Sequence, residues 1–453
     1  MNIIIVGGGK VGTTLTELLA KEGHNVTIID TAPKLVENIV NNQDVIGYCG
    51  NGASFPVQCE AGIDKCDVFI AVTGSDELNI MSCLVAEKLG AKHSVARVRN
   101  PEYSGQMDFL RDKLGVDLVV NPDLEAANEI ARAVEFPAAS KVETFAKGRV
   151  ELAEILVDES SPLSNLALFD LKKVVRAPLL VCAVQRGDEV IIPSGNFVIK
   201  AGDTLHFTTS KYSISRVFKS LELQAKKIKT VLVVGGSVTS FYLSKHLEKA
   251  GLKVCIVEAD PERAAELEAS LENVSVLCAD GTDNAFLEEY RLENVDATVA
   301  LTDIDEENMI FSMYAAQHGV EKTVCKVTRQ NLIKMLPAVT KNCSVVYPQS
   351  ITANIILRYI RAVNNSEGSS MQTLYRILDG KAEAAEFYAA ETSALIGKPL
   401  RELSLRKNVL IACVSHRGSV IMPDGNTEIH PGDSVIVINS GEPLSDLDDI
   451  IRG

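Results

Sequence analysis

Ile3-Ile4-Ile5-Val6-Gly7-Gly8-Gly9-Lys10-Val11-Gly12 carries an apolar run straight into a glycine-rich turn. Four β-branched residues in succession read as a buried strand. The G-x-G-x-x-G over Gly7–Gly12 follows that strand and opens a helical pattern over 12–21. Each glycine answers a different steric demand. Gly7 permits the tight turn, Gly9 lets backbone approach a pyrophosphate, and Gly12 lets helix pack close on strand. With Gly8, Lys10 and Val11 in the same loop, the helix N-terminus offers N–H groups and positive dipole to phosphate oxygens. Asp30 closes the next apolar run, 23 residues after Gly7. A carboxylate there accepts from ribose hydroxyls and repels a 2′-phosphate, which favours NAD or an adenosine nucleotide over NADP.

Further strands are expected over 25–29, 44–48, 68–72, 94–98 and 118–120, with helical patterns such as 77–89 between them. Six strands alternating with helices predict a doubly wound parallel sheet, whose ligands bind beyond the carboxyl ends of the strands. This places Asn51 and Gly52 after the third strand, Thr73 and Asp76 after the fourth, and Arg97 at the end of the fifth. Arg97 is open to two readings, a fork of donors for phosphate or a structural ion pair. Asn51 and Asp76 are open to ligand contact or to turn capping. A helix over 123–135 stops before Pro137, and its counterpart is expected over 351–363. Each reads as a core helix or as a crossover helix packing on a neighbouring subunit.

The opening motif recurs. Ile4-Ile5-Val6-Gly7-Gly8-Gly9 returns as Leu232-Val233-Val234-Gly235-Gly236-Ser237, and Ala71-Val72-Thr73 with Asn79 returns as Ala300-Leu301-Thr302 with Asn308. Val150–Glu154 matches Ala382–Glu386, and Pro193, Gly195, Asn196, Gly202 and Asp203 return as Pro423, Gly425, Asn426, Gly432 and Asp433. Landmarks in one order at nearly one offset identify a tandem duplication. The second copy keeps the architecture and alters the chemistry. Ser237 and Ser240 replace Gly9 and Gly12, Glu258 replaces Asp30, and Lys326 replaces Arg97; Gly235, Asp280 and Thr302 complete the expected second set. A serine side chain where backbone should approach phosphate is expected to weaken binding or change its preference.

Between the two copies of the sheet, the texture over about 140–210 changes to short strands, expected over 179–185, 190–193 and 204–208, joined by Gly-containing turns. The fold class is therefore α/β, with two Rossmann-like doubly wound parallel-sheet domains, each followed by a small α+β domain. A polar helix over 213–223 and Lys226-Lys227 should link the halves, and 364–370 should be a flexible loop.

The formal charge of −15 from 45 basic and 60 acidic residues argues against nucleic acid or anionic lipid as a direct partner. No stretch approaches the ~20 apolar residues of a membrane span, and no signal peptide precedes the first strand, so a cytosolic protein is expected. The ten cysteines form no C-x-x-C pair and the seven histidines no H-E-x-x-H helix, so no metal is expected. A dehydrogenase needs a general acid or base beside the nicotinamide. His206 and His416 stand in the small domains without an evident orienting acid and read as structural or solvated. A nucleotide fold without such machinery reads as a sensor, not an enzyme. An NAD-dependent oxidoreductase, and a cyclic-dinucleotide sensor acting through the small domains, are the alternatives.

The whole chain resembles the TrkA family of Trk-system potassium uptake regulators, proteins with two RCK (regulator of conductance of potassium) units. The residues that carry the resemblance are the Gly7–Gly12 turn, Asp30, Ala71-Val72-Thr73 and Ala96-Arg97-Val98-Arg99-Asn100-Pro101 for the RCK N-domain. Pro193-x-Gly195-Asn196 with Ala201-Gly202-Asp203, and Pro423-x-Gly425-Asn426 with Pro431-Gly432-Asp433, carry it for the C-domains. The resemblance implies N-domains over 1–136 and 226–363 and C-domains over 137–225 and 364–453. It implies NAD(H) and ATP or ADP as regulatory ligands. It also implies a homo-oligomeric gating ring of four chains, docked on the inner face of the membrane against a TrkH-like integral-membrane potassium-translocating subunit. The chain departs from the family at Asn51, where many relatives carry Asp, and at Ser237 and Ser240.

Overall fold

Ile3, Ile4, Ile5 and Val6 are at most 2% exposed, as a strand covered on both faces requires. In the computed structural model they form β1 (Asn2–Val6), which pairs in parallel with β2 (Asn25–Asp30) and β4 (Val68–Ala71). With β3 (Ile46–Cys49), β5 (His93–Arg97) and β6 (Leu118–Val120), the sheet order is β3-β2-β1-β4-β5-β6, all parallel. The order reverses between β1 and β4, which opens a crevice above their carboxyl ends. The structure describes residues 1–453 other than 105, 106, 138, 140, 146–149, 211, 222–227, 330, 331, 333–342, 366–370, 378–380, 417, 418, 442, 443, 445 and 453. The expected linker with Lys226 and Lys227, and residues 366–370 of the expected loop, lie outside the described residues.

The small domain that follows is an antiparallel sheet of β7 (Lys141–Phe145), β8 (Val150–Leu156), β9 (Leu179–Arg186), β10 (Glu189–Ile191) and β11 (Thr204–Ser210), in the order β10-β9-β11-β8-β7. The sequence reading missed β7 and β8. Glu151 and Glu154 interrupt the apolar pattern of β8, yet both of its faces are covered. Ala153 and Ile155 enter one hydrophobic cluster, Val150 and Leu152 another. The helix Ile214–Ser220, expected as a polar linker, places Ile214, Val217 and Phe218 in the first of these clusters.

The second copy repeats both sheets. Strands β12 (Thr230–Val234), β13 (Lys253–Glu258), β14 (Val274–Cys278), β15 (Ala297–Ala300), β16 (Lys322–Lys326) and β17 (Ser344–Val346) take the order β14-β13-β12-β15-β16-β17. Strands β18 (Met371–Ile377), β19 (Ala382–Tyr388), β20 (Val409–His416), β21 (Ser419–Ile421) and β22 (Ser434–Asn439) take the order β18-β19-β22-β20-β21.

Space groups these four sheets differently from the chain. One compact unit combines Met1–Ala131 with Lys229–Ile360, and the other combines Arg132–Ile228 with Arg361–Gly453. Like therefore packs on like within each unit. In the first, Asn121 donates to the Tyr242 hydroxyl at 3.0 Å and Thr239 donates to Asp123 at 2.7 Å. Tyr359, on the helix Pro348–Asn365, sits with its hydroxyl 3.3 Å from His93 Nδ1. The helices expected over 123–135 and 351–363 thus reach across to the other copy within the same chain. In the second unit, Val150, Leu152, Cys182 and Ala183 share a cluster with Ala384, Ala412, Cys413 and Ile436, and Thr208 donates to the Ala412 carbonyl at 3.0 Å.

The small domains also correct the reading of their histidines. His416 Nδ1 lies 2.6 Å from Asp433 Oδ1, and His206 Nδ1 lies 3.9 Å from Glu154. Both acids are remote in sequence, and only strand pairing brings them near. In the first copy the position of His416 is held by Arg186, which donates through Nε and Nη2 to the two oxygens of buried Asp203, each at 2.7 Å. Burial alone would raise the Asp203 pKa. The Arg186 bonds and the Lys200 N–H outweigh it and hold the carboxyl below its ordinary value. The stability this contributes is complete above the unfolded Asp pKa of about 3.9 and is lost as pH falls through the lower folded value. Asp203→Asn should therefore cost about 1–3 kcal/mol at pH 7. Denaturant midpoints of variant and wild type should begin to converge as pH falls below about 3.9; a gap of constant size at still lower pH would refute the ion pair's role.

Candidate functional site

The turn after β1 is built by contacts that exclude side chains. Gly7 has φ +104°, and a Cβ there would lie 2.9 Å from Thr73 N, while its N–H donates to the Ile29 carbonyl at 2.9 Å. A Cβ on Gly12 would lie 1.8 Å from the Gly7 carbonyl oxygen, so helix and turn touch there. Gly9 is different. A Cβ built on it meets nothing within 4 Å, and it is the N-cap of the helix Lys10–Lys21 with no side-chain cap. Its lack of a side chain leaves the positive end of the helix open to the crevice.

Asp30 closes the turn from the other side. One carboxylate oxygen accepts from Gly8 N at 2.7 Å and the other from Ala32 N at 2.9 Å, which aims the group at the crevice with lone pairs to spare. The resulting cleft has a volume of about 580 Å³, within the range of small-molecule sites. Among the expected residues it is lined by Gly7, Gly9, Lys10, Val11, Asp30, Gly52, Thr73 and Arg97. Gly8 lies in an adjoining hollow of about 860 Å³ that shares Gly9 and Lys10 with the cleft.

Arg97 faces this cleft with its Nε buried and without a hydrogen-bond partner. Burial first, and then Arg99, lower its pKa from the ordinary arginine value, with Asp76 and Asp123 opposing. A desolvated guanidinium with an unused donor is a fit to an anionic group.

Other expected residues support the walls instead. Asn51 accepts from Ala53 N at 2.9 Å and caps a turn. Asp76 accepts from Arg99 N and Asn100 N, both at 2.8 Å, and ties the helix Asp76–Leu89 to the segment after β5. Thr73 lines the cleft with its N–H and hydroxyl already engaged by Asn79 Oδ1, at 2.8 and 2.7 Å.

Asn79 is the residue the site reading missed. Fully buried, it also donates to the carbonyls of Thr73 and Arg97, at 3.3 and 2.9 Å, and so clamps the ends of β4 and β5 together. Asn308 does the same for Thr302 and Lys326 in the second copy. The signal was present, since both asparagines are repeat landmarks.

The second cleft, of about 550 Å³, is lined by Gly235, Ser237, Glu258, Asp280 and Thr302. Glu258 reproduces the Asp30 pattern with one more methylene, accepting from Gly236 N at 2.5 Å and Asp260 N at 2.8 Å. Ser240 fits where Gly12 stood because its hydroxyl donates to the Gly235 carbonyl, converting a clash into a hydrogen bond. Ser237 turns its hydroxyl back to accept from Ser240 N at 3.3 Å. That capping bond occupies the helix N-terminus that Gly9 leaves open. Asp280 accepts from the N–H and hydroxyl of Thr282, at 2.9 and 2.7 Å, and is held low by these bonds. Lys326 is outside the lining; its ammonium lies 3.4 Å from both the Leu301 carbonyl and Asp303.

Each copy also reaches the other's cleft. Gln349 enters the first cleft and Arg99 the second, while Lys10 donates to Thr328 of the second copy at 3.2 Å. No spacing in the sequence announces these partners, because they meet only when the two large domains pack.

The TrkA-N domain model matches residues 3–122 and 231–346, and the TrkA-C domain model matches residues 152–222 and 384–452. A Trk system potassium uptake protein TrkA homolog of Archaeoglobus fulgidus is 31% identical over 452 residues, covering 100% of both chains. A TrkA homolog 1 of Methanosarcina mazei is 31% identical over 456 residues, covering 99% of each. Among solved structures, the GsuK channel bound to NAD superposes with a TM-score of 0.64 at 17% identity, covering 97% of this chain and 76% of that one, which shows a shared fold.

Proposed function

The chain belongs to the TrkA family, with two TrkA-N and two TrkA-C domains in alternation, and from that premise we propose that it is a nucleotide-sensing regulatory subunit of potassium uptake. The observation that carries the sensing role is the first cleft, where an uncapped helix N-terminus, the Asp30 carboxylate and the Arg97 side chain converge. These three groups match pyrophosphate, ribose hydroxyls and a further phosphate oxygen. The ligand we assign is NAD(H) or an adenine nucleotide, ATP or ADP. Asp30 opposes a 2′-phosphate. Ser237 makes the second cleft the weaker site.

The domains we assign are 1–136 and 226–363 for nucleotide binding, each followed by a small domain over 137–225 and 364–453. The partner is an integral-membrane potassium-translocating subunit, with this chain held at its cytoplasmic side. Among the described residues no helix is long and apolar enough to cross a membrane. A ring of chains is supported by Met81 and Ile310, which occupy equivalent positions on the helices Asp76–Leu89 and Asp305–Gln317 and are 53% and 67% exposed. The chain acts by population shift and not by catalysis. A ligand that prefers one ring conformation ~100-fold contributes about 2.7 kcal/mol per site to that conformation.

Titration of NAD, NADH, ATP and ADP into the full-length protein tests the reading, followed by potassium flux with the reconstituted partner. A chain that binds none of the four at millimolar concentration would end it. Arg97→Gln separates ligand contact from structure. Loss of a charge-assisted bond should weaken binding about 10- to 100-fold. The melting temperature should hold or rise, because a buried donor without a partner is removed. A variant that binds normally but melts earlier would assign Arg97 to the scaffold.

A further inference from the structure

We propose that His416, His430 and Asp433 form a binding site for a divalent cation of the zinc class in the second small domain. His416 ends β20, and His430 and Asp433 flank the Pro431-Gly432 turn that leads into β22. The Asp433 side chain is 1% exposed, with Oδ1 2.6 Å from His416 Nδ1 and Oδ2 3.8 Å from His430 Nδ1. The two imidazole rings are 5.3 Å apart. One donor atom from each residue can be chosen so that all three lie within 4.8 Å of one another. Bonds of about 2.0–2.2 Å place tetrahedral donors roughly 3.3 Å apart, so a small pivot of the two rings completes the set. The His416 and His430 side chains are 37% and 55% exposed, which leaves a path for the ion and room for water in the remaining positions.

The first copy supplies the independent argument. There the equivalent carboxylate, Asp203, is also 1% exposed, and it is neutralised by Arg186, with Lys200 following in the turn. The second copy has replaced both permanent cations with imidazoles while keeping the carboxylate buried. Unlike Arg186 and Lys200, imidazoles carry no permanent charge to set against that carboxylate; a dication bound by all three supplies one. The substitution pattern exchanges an internal cation for a site that accepts one from solvent. Two nitrogens and one oxygen suit zinc or its neighbours better than calcium, which takes six to eight oxygens.

The test uses the full-length chain, stripped with chelator and titrated with Zn²⁺ and, separately, with Co²⁺ as a spectroscopic probe. One equivalent per chain should bind, with the visible absorption of Co²⁺ held by nitrogen and oxygen. His430→Ala, at an exposed side chain, should weaken that equivalent at least tenfold. His416→Arg with His430→Lys should abolish it without a loss of melting temperature, because the first copy folds with those residues around the same turn. Three results would each overturn the site. They are no Co²⁺ uptake by the wild-type chain, an unchanged equivalent in the Arg/Lys variant, or a thiolate charge-transfer band. The last would place the metal on exposed cysteines such as Cys49, Cys59 and Cys278.

Discussion

In Gly9→Asp, affinity for NAD or adenine nucleotide at the first cleft should fall by at least about 100-fold, while the protein melts no earlier than wild type. The two halves of this outcome come from one fact. A Cβ on Gly9 meets no atom within 4 Å, so the side chain enters space that the fold does not use. Aspartate is among the preferred N-cap residues, and replacing glycine with it should leave stability equal or raise it by a few tenths of a kcal/mol. The same carboxylate then occupies the helix N-terminus and repels the phosphate that would otherwise dock there. A loss of about 2.7 kcal/mol is the minimum expected from trading a charge-assisted contact for a like-charge one. Ser237→Gly runs the comparison in reverse. Freed of its hydroxyl cap, the second helix N-terminus should gain affinity, and calorimetry should report more bound nucleotide per chain. Equal binding before and after Gly9→Asp would falsify the assignment of the first cleft.

Asn79→Ala should be the most destabilising change near that cleft, at about 3 kcal/mol. The side chain is fully buried and satisfies Thr73 N, the Thr73 hydroxyl and the carbonyls of Thr73 and Arg97. Each buried polar group left without a partner costs about 1–3 kcal/mol, partly offset by relaxation. For a unit of this size that corresponds to roughly 6–12 °C in melting temperature. Nucleotide affinity should fall as well, because Asn79 holds two cleft residues in register from outside the cleft. Asn308→Ala is the internal control. It should cost similar stability through Thr302 and Lys326 and leave binding at the first cleft unchanged. If both variants melt normally, the clamp has no energetic role.

The contrast between the copies shows how far residue spacing reaches. Gly7, Gly12 and Asp30 were legible because their demands are local: a positive φ, a contact five residues away, and an acid at the end of the adjacent strand. Asn51 and Asp76 had two readings each; Asn51 caps a turn, and Asp76 ties its helix to the segment after β5. Ser240 departs from the glycine pattern, and the turn keeps its shape because a hydroxyl of the right rotamer bonds the Gly235 carbonyl. His416 was expected to lack an acid; antiparallel pairing of β20 with β22 supplies Asp433.

Sequence alone determined the duplication, the two alternating domain types and the glycine geometry of the first turn. Each rests on periodicity or on backbone sterics within a few residues. Tertiary structure decided that like domains pack on like, so that Gln349 and Arg99 each enter the other copy's cleft. It also decided that Ser237 caps its own helix while Gly9 leaves its N-terminus open, and that two histidines meet a buried carboxylate. Those outcomes depend on rotamers and on contacts between residues far apart in the chain. Their energies exist only once the packing that creates them has formed.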